Sequence, residues 1–204
     1  MSTEANGPGS ITEVRIHGRG GQGNVAAAYL LAAAAIREGR FGQAFPAFGA
    51  ERRGAPVAAF VRIADRRLRR RSQILRPHFL IVQDAALLGV PGTLSGLMPG
   101  GAVLVNSTEE SAALSERLEV PAVSLPAGRM AQEILGRPVP NTALLAAFME
   151  LTGILSLDSL DEEITARFQA KGGAVVNKNR ELVRSAADAV ETGAWKEAAH
   201  AATA

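Results

Sequence analysis

The residues most able to do chemistry form a glycine-rich loop, Gly18-Arg19-Gly20-Gly21-Gln22-Gly23, which follows a short apolar segment. Gly18, Gly20 and Gly23 have the G-x-G-x-x-G spacing that permits a tight turn and brings backbone N–H groups close to a phosphate. An alanine-rich segment, residues 24–38, comes next, and a helix N-terminus there would favour an anion. The pattern predicts a strand-to-helix turn that faces a phosphate group or a partner.

A dinucleotide site needs one more feature, an Asp or Glu that ends the second strand about 20 residues later and binds the ribose. Residues 41–48 contain no acid. Glu38 and Glu51 are the nearest acids, and neither ends an apolar strand. A free-standing nucleotide-binding enzyme is therefore the alternative interpretation and not the preferred one.

Other candidates for catalysis are few. The histidines, His17, His78 and His200, lack metal-ligand spacing, and no Ser-His-Asp arrangement is recognisable, so we predict no catalytic residue and no metal site. His17 is either within reach of a ligand or a hydrogen-bonded histidine at a strand end. Asp84 follows an apolar strand, so it is either a site residue at the carboxyl edge of a sheet or a helix cap.

The composition excludes several classes of site. The 204 residues include no cysteine, which rules out disulfides, thiolate nucleophiles and cysteine-ligated zinc or iron–sulfur clusters in this chain. No apolar run reaches the roughly 18 residues that span a bilayer. The polar residues 1–10 are predicted to be a disordered leader and not a signal or transit peptide, which favours a cytoplasmic protein.

Arginine accounts for 19 of the 22 basic residues, and the densest stretch is residues 62–76. Guanidinium groups match phosphates and carboxylates, so this stretch indicates either an acidic partner or phosphate, or simply a solvated turn. Nucleic acid is disfavoured because only two phenylalanines lie nearby to stack on bases. The nearly contiguous members are Arg66, Arg67, Arg69, Arg70 and Arg71.

The elements that position these residues alternate between strand and helix, which predicts an α/β fold with a doubly wound, mostly parallel sheet. Strands are predicted at residues 11–17, 57–64, 79–82, 102–106 and 122–125. Residues 41–56 are predicted to be an irregular functional loop, and residues 68–72 the second strand of an inserted β-hairpin with 57–64. The apolar helix 24–38, ending at Gly39, is expected to be buried on more than one side, against the sheet and another subunit.

The C-terminal third is predicted to be helical, in a single domain that covers residues 11–193 and is followed by a frayed tail, residues 194–204. Helices are predicted at 109–118 with Ser107 or Thr108 as the cap, 127–135, 142–152 with Asn141 as the cap, a segment ending near Phe168 with a Ser159–Glu162 capping box, and 175–191 ending at Gly193.

Three segments in order carry a family resemblance: the glycine loop, residues 43–49 (Gln-Ala-Phe-Pro-Ala-Phe-Gly) and residues 51–57 (Glu-Arg-Arg-Gly-Ala-Pro-Val). Together they resemble the γ subunit, or γ domain, of the 2-oxoacid:acceptor oxidoreductases, such as pyruvate:ferredoxin oxidoreductase or phenylglyoxylate dehydrogenase. The likeness continues through residues 79–84, Asn141-Thr142 and residues 171–179. The glycine loop alone is a weak signal, whereas the ordered series is specific.

The resemblance implies a complex that converts a 2-oxoacid to an acyl-CoA with thiamine diphosphate, Mg²⁺ and 4Fe–4S clusters, and sends electrons to ferredoxin or towards NAD. It implies that this chain alone holds none of these groups, and that its partners are α, β and ferredoxin-like δ subunits, with neither nucleic acid nor a membrane. It leaves the 2-oxoacid and the role of the arginine stretch open. The candidate CoA-side or interface residues are Gly18, Gly20, Gly21, Gln22, Gly23, Arg52 and Arg53.

Overall fold

A computed structural model describes residues 11–47 and 54–201 of the chain. Six strands are present there: β1 (Ile11–Arg19), β2 (Phe41–Pro46), β3 (Pro56–Ala64), β4 (Phe79–Val82), β5 (Ala102–Asn106) and β6 (Ala122–Leu125). The α-helices of the same residues are α1 (Asn24–Arg37), α2 (Ser111–Leu118), α3 (Ala127–Leu135), α4 (Asn141–Thr152), α5 (Leu157–Phe168), α6 (Gly173–Asp188) and α7 (Lys196–Ala201). None of these helices is both long and apolar enough to cross a membrane.

All six strands form one sheet in the order β2-β3-β1-β4-β5-β6. β1, β4, β5 and β6 run parallel, while β3 is antiparallel to both of its neighbours, β1 and β2. β4 is buried along its whole length, as its continuous apolar sequence predicts for a central parallel strand. The predicted α/β fold with a mostly parallel sheet and a helical C-terminal third is confirmed.

Helices cover both faces of the sheet. One face packs against α1 and the helices from α3 onward, around Phe79, which contacts the rings of Phe148 and Trp195 at centroid distances of 5.4 and 6.0 Å. The other face packs Leu80 and Val82 against α2 and the short 3-10 helix Ala85–Gly89. Because alternate residues of β4 enter the two cores, the sheet is buried on both sides, as in doubly wound folds.

α1 is buried on two sides by this chain itself, since it packs against β2 and β3 on one side and against α5 on another. Gly39 follows the helix in the left-handed conformation (φ 75°), as predicted for its end. Tyr29 and Ile36 are half-exposed on the remaining side.

Residues 41–46 are a strand, so the prediction of an irregular loop is wrong for this part. Gly42 and Pro46 disfavour a strand locally, but every residue of β2 pairs with β3. Gly42 is needed because a Cβ atom there would lie 2.1 Å from the backbone oxygen of Ala32 in α1. Tertiary packing therefore overrides the local preference.

Residues 68–72 do not form a strand, so the predicted partner of the 57–64 strand is also wrong. Both edges of β3 are already occupied, by β1 and β2, and the antiparallel hairpin of the sheet is β2–β3. The carbonyl oxygens of Arg70 and Ser72 accept hydrogen bonds from the buried Arg62 guanidinium instead (3.3 and 2.9 Å).

Three predicted helix caps are wrong by a few residues. Glu110 caps α2 through Ala113 N–H, whereas Ser107 accepts from Glu109 N–H. Ser156, and not Ser159, caps α5. Asn141 is the first residue of α4, and its Oδ1 accepts from the next N–H, that of Thr142 (2.8 Å). For α2 and α5 the cause is that several Ser and acidic residues near the helix start can cap equally well, whereas α4 begins one residue earlier than predicted.

The expected frayed tail is a helix over most of its length. Trp195 is buried against Phe79, and its N–H donates to Leu151 O (2.7 Å), which fixes the start of α7 on the core. Residues 1–10, the predicted leader, and residues 202–204 lie outside the described residues.

Candidate functional site

The candidate site lies where β1 and β4 end side by side. These two strands are parallel neighbours, with His17 paired to Val82. The chain leaves β1 towards the α1 face of the sheet, and leaves β4 towards the opposite face, where Leu87 joins the α2 core. Connections that diverge in this way open a crevice at the carboxyl ends of the strands, the usual place for a binding site in a doubly wound sheet.

The glycine loop turns sharply at this crevice. Gly21 and Gly23 have left-handed backbones, with φ of 95° and 83°. Gly18 is needed because its Cβ would lie 2.3 Å from Asn24 Oδ1. Gln22 closes the turn: its Oε1 accepts from Arg19 N–H (2.7 Å), and its own N–H donates to Arg19 O (3.0 Å). The loop is thus a turn held by hydrogen bonds between its own residues.

Gly20 ties the loop to the second predicted motif. Its N–H donates to Ala55 O (2.9 Å), and its carbonyl accepts from Gly54 N–H (3.3 Å). Arg52 and Arg53 immediately precede Gly54 in the chain and lie outside the described residues. Two of the three segments that carry the family resemblance therefore meet at the end of β1.

Asp84 joins β4 to the same edge. One carboxylate oxygen accepts from Ala86 N–H (3.0 Å) and caps the 3-10 helix, which confirms one of the two predicted roles. The other oxygen pairs with Arg19 Nε, and Arg19 also donates to Gly54 O (3.2 Å). Both side chains are partly exposed, so this ion pair contributes only about 0.2–1 kcal/mol. Its main effect is to orient the loop relative to β4.

Gln83 is the least satisfied residue at this edge. Its side chain is buried, and neither Oε1 nor Nε2 has a hydrogen-bond partner within the described part of the chain. Strand alternation places it on the same face of the sheet as Ile81, the face that α1 covers. A buried polar group without a partner costs about 1–3 kcal/mol, so this amide lowers stability at the site.

Asn106 connects the remaining strand ends. Its Nδ2 donates to Gln83 O (3.0 Å), and its Oδ1 accepts from Gly128 N–H in the first turn of α3 (2.9 Å). Sequence reasoning did not select this residue. The available signal was its position, since it is the first polar residue after the buried apolar part of β5.

The starts of α1 and α4 meet beside the glycine loop. A Cβ on Gly23 would lie 2.7 Å from Asn141 Nδ2, so these helix N-termini are in contact. Neither N-cap residue, Gly23 or Pro140, supplies a side-chain cap, and in α4 Asn141 Oδ1 accepts only from Thr142 N–H. A cavity of about 330 Å³ opens next to them, lined by Ala26, Leu30, Asn141, Thr142, Arg167, Phe168 and Lys171. Two helix N-termini and two cations give this cavity the charge that a phosphate or carboxylate needs.

A comparison with known families decides where the chain belongs. Residues 13–189 match the family model described as pyruvate ferredoxin/flavodoxin oxidoreductase. The chain belongs to this family. The predicted resemblance to the 2-oxoacid:acceptor oxidoreductases is thereby confirmed.

Several of its relatives within the oxidoreductase family are subunits of similar length. The pyruvate synthase subunit PorC of Methanosarcina barkeri is 46% identical over 76% of this chain and 86% of its own length. The pyruvate/ketoisovalerate oxidoreductases common subunit gamma of Thermococcus kodakarensis is 44% identical, over 86% and 95%. The crystal structure of the pyruvate oxidoreductase subunit PORC of Thermotoga maritima is 32% identical, over 88% and 96%, with a TM-score of 0.77. This chain is likewise a γ-type subunit of an oxidoreductase complex.

In this γ-type subunit, His17 is a hydrogen-bonded residue and not a proton donor. Its Nε2 accepts from Arg15 Nε (2.8 Å), which confirms the second of the two predicted interpretations. Burial, together with the positive charge of Arg15, lowers the pKa of His17 to about 4. The imidazole is therefore neutral near pH 7 and serves to hold Arg15, which donates to the carbonyl groups of Thr93 and Ser95 (both 2.8 Å).

Within the described residues of this oxidoreductase subunit, no Asp or Glu ends the second strand, where a dinucleotide site needs one to bind the ribose. β2, the second strand, ends at Pro46, and residues 41–47 contain no carboxylate. β2 is also separated from β1 by β3, whereas a dinucleotide fold places its first two strands side by side.

The described residues do not fit a cysteine-ligated iron–sulfur cluster or a metal ion. The chain has no cysteine for an iron–sulfur cluster, and the described residues contain no group of three or more His, Asp or Glu side chains that could hold a metal.

Proposed function

We propose that this γ-type subunit works in a complex that oxidises a 2-oxoacid to an acyl-CoA with thiamine diphosphate and passes the electrons to ferredoxin. In this proposal α, β and δ subunits hold the thiamine diphosphate, Mg²⁺ and the iron–sulfur clusters. This chain has no cysteine thiolate that could ligate a cluster. The γ subunit contributes to assembly and binds part of CoA. Oxidative decarboxylation itself takes place on the other subunits.

One observation carries the CoA part of the proposal. Segments of the family resemblance that are far apart in sequence, the glycine loop, Asn141-Thr142 and Lys171, meet at one edge of the sheet. The cavity between them lies at two helix N-termini whose N-cap residues supply no side-chain cap, and it is lined by the cations Arg167 and Lys171. CoA carries phosphate groups on a largely extended molecule, and a positively charged, partly apolar cavity of about 330 Å³ is suited to one end of it.

The assembly part of the proposal rests on α1. Tyr29 is 50% and Ile36 is 59% exposed, on the helix side that faces away from the sheet. Phe41, at the start of β2, is 44% exposed. Bulky apolar side chains of this kind are typical anchors of a stable interface, which supports contact with a larger subunit. Arg52 and Arg53 are proposed to bind acids of that subunit or phosphates of CoA.

The experiment is to purify the tagged chain anaerobically from its native host and to assay the preparation with a panel of 2-oxoacids. We expect larger subunits with iron–sulfur absorbance to co-elute with the chain. Elution as a lone monomer would refute the subunit role.

The CoA contact is tested in the same complex with the Arg167→Gln/Lys171→Gln double variant. We expect the KM for CoA to rise about tenfold at unchanged kcat, because about 1.4 kcal/mol of binding is lost. Lys178→Gln, an exposed lysine on α6, is the matched control. If the Arg167→Gln/Lys171→Gln variant has the same KM for CoA as the control, CoA binds elsewhere in the complex.

A further inference from the structure

The arginine segment, residues 66–71, lies near the opposite end of β1 from the glycine loop. It follows β3, which ends at Ala64, and Ala64 pairs with Ile11 at the start of β1. The glycine loop follows the other end of the same nine-residue strand. At a rise of about 3.4 Å per residue, the two ends of β1 are roughly 27 Å apart. The segment therefore cannot share an anion with the candidate CoA site.

The charges of this segment are not neutralised within the described part of the chain. Arg66, Arg67, Arg69, Arg70 and Arg71 are exposed, and none forms an ion pair with a described acid. The neighbouring acid, Asp65, pairs with Arg40 (2.8 Å). Five like charges at adjacent positions repel one another, so an opposite charge from outside would be strongly favoured.

The backbone of the segment is nevertheless fixed. Arg62 is buried, is held by Glu13 (2.7 Å), and donates to the carbonyl groups of Arg70 (3.3 Å) and Ser72 (2.9 Å). Arg15, also buried, donates to Ile74 O (3.5 Å). Arg62 thus holds the segment at Arg70, and Arg62 and Arg15 hold the residues that follow it, which reduces the entropy that binding a partner would cost.

The surroundings of the arginines favour a polypeptide over other anions. Two open cavities, of about 680 and 490 Å³, border the segment on either side of Arg70. Leu75, which lines the smaller cavity, is 72% exposed, so the surface combines positive charge with an apolar anchor. Residues 61–78 contain no Phe, Tyr or Trp on which bases could stack, which argues against single-stranded nucleic acid.

We propose that the arginine segment and Leu75 form a second docking surface of this subunit, and that its occupant is an acidic face of another polypeptide in the same complex. The carboxylates of that face pair with the exposed arginines, and an apolar side chain packs on Leu75. The proposal rests on the proposed function in one respect: the chain must work in a complex, because that complex supplies the partner. It does not depend on where CoA binds.

Zero-length cross-linking tests the proposal in the native complex. In Arg67→Lys and Arg70→Lys variants the charge is kept, and a carbodiimide can couple the new amine to a carboxylate in direct contact. Arg129→Lys, at an exposed position of α3 on another part of the surface, is the matched control. We expect both segment variants to cross-link to Asp or Glu residues of one other subunit, and the control not to reach them. Cross-links confined to this chain in an intact complex would overturn the proposal.

A charge-removal variant gives the second readout. We expect Arg66→Gln/Arg67→Gln/Arg69→Gln/Arg70→Gln to weaken assembly about tenfold and to reduce its sensitivity to salt, while circular dichroism and melting of the isolated chain stay unchanged. Unchanged assembly would overturn the docking surface but not the subunit role. A wild-type chain that elutes without any other subunit refutes the subunit role itself. Tight, salt-sensitive binding of a labelled oligonucleotide with no protein cross-link would assign the surface to nucleic acid instead.

Discussion

Gly21 and Gly23 provide a matched pair of substitutions in the glycine loop. Both residues have left-handed backbones, with φ of 95° and 83°. An alanine at either position loses roughly 1–2 kcal/mol of stability, because a Cβ is unfavourable in that conformation. The surroundings differ: a Cβ on Gly21 has no atom within 4 Å, whereas one on Gly23 lies 2.7 Å from Asn141 Nδ2.

Gly23→Ala must therefore also displace the Asn141 side chain. Moving it off its rotamer costs about 1 kcal/mol, and loss of the hydrogen bond between Asn141 Oδ1 and Thr142 N–H (2.8 Å) costs about as much again. We expect Gly21→Ala to lower the free energy of unfolding by roughly 1–2 kcal/mol and Gly23→Ala by roughly 3–4 kcal/mol. Urea denaturation of the isolated chain measures both values.

A double-mutant cycle isolates the contact between the two helix starts. In an Asn141→Ala background the Gly23 Cβ no longer meets the amide, so Gly23→Ala should lose only what Gly21→Ala loses. The expected coupling energy is about 2 kcal/mol. Equal losses for the two glycine variants, or a coupling energy near zero, would refute the contact between the starts of α1 and α4 on which the candidate site depends.

Two further predictions concern a close helix–strand contact and pH. Gly42→Ala should destabilise the chain by about 3 kcal/mol or more, because its Cβ would overlap the backbone oxygen of Ala32, which has no room to move. Urea denaturation measures this, with Gly89→Ala as the control, since a Cβ on Gly89 has no atom within 4 Å. Since burial lowers the pKa of His17 to about 4, the unfolded state binds more protons between pH 6.5 and 4, so stability should fall by about 3 kcal/mol as the pH drops through that window. His17→Gln should flatten this part of the profile, and an unchanged profile would contradict a neutral buried histidine.

The sequence predicts those parts of the fold whose signal is local. β4 is a continuous apolar run, and β5 and β6 resemble it, so their place in a parallel sheet follows from composition alone. α1 is also recovered, with Gly39 after its end. Asp84 is recovered as a helix cap because an Asp directly before a helix start can accept from its first N–H groups.

The sequence does not predict elements that depend on distant residues. β2 contains Gly42 and Pro46, which disfavour a strand, and it forms because β3 offers a free edge and α1 covers its face. α7 depends on the burial of Trp195 against Phe79, more than 100 positions earlier. Neither contact leaves a periodic pattern in the local sequence.

The candidate site divides in the same way. The glycine loop, the absence of cysteine and the ordered family segments are properties of the sequence, and by themselves they determine that this is a γ-type chain without its own iron–sulfur cluster. Only the tertiary structure brings Gly23 next to Asn141, leaves Gln83 buried without a partner, and fixes the arginine segment through Arg62. The physical reason is that a strand or helix follows from neighbouring residues, whereas a site is assembled from side chains that meet only when the sheet and its helices have packed.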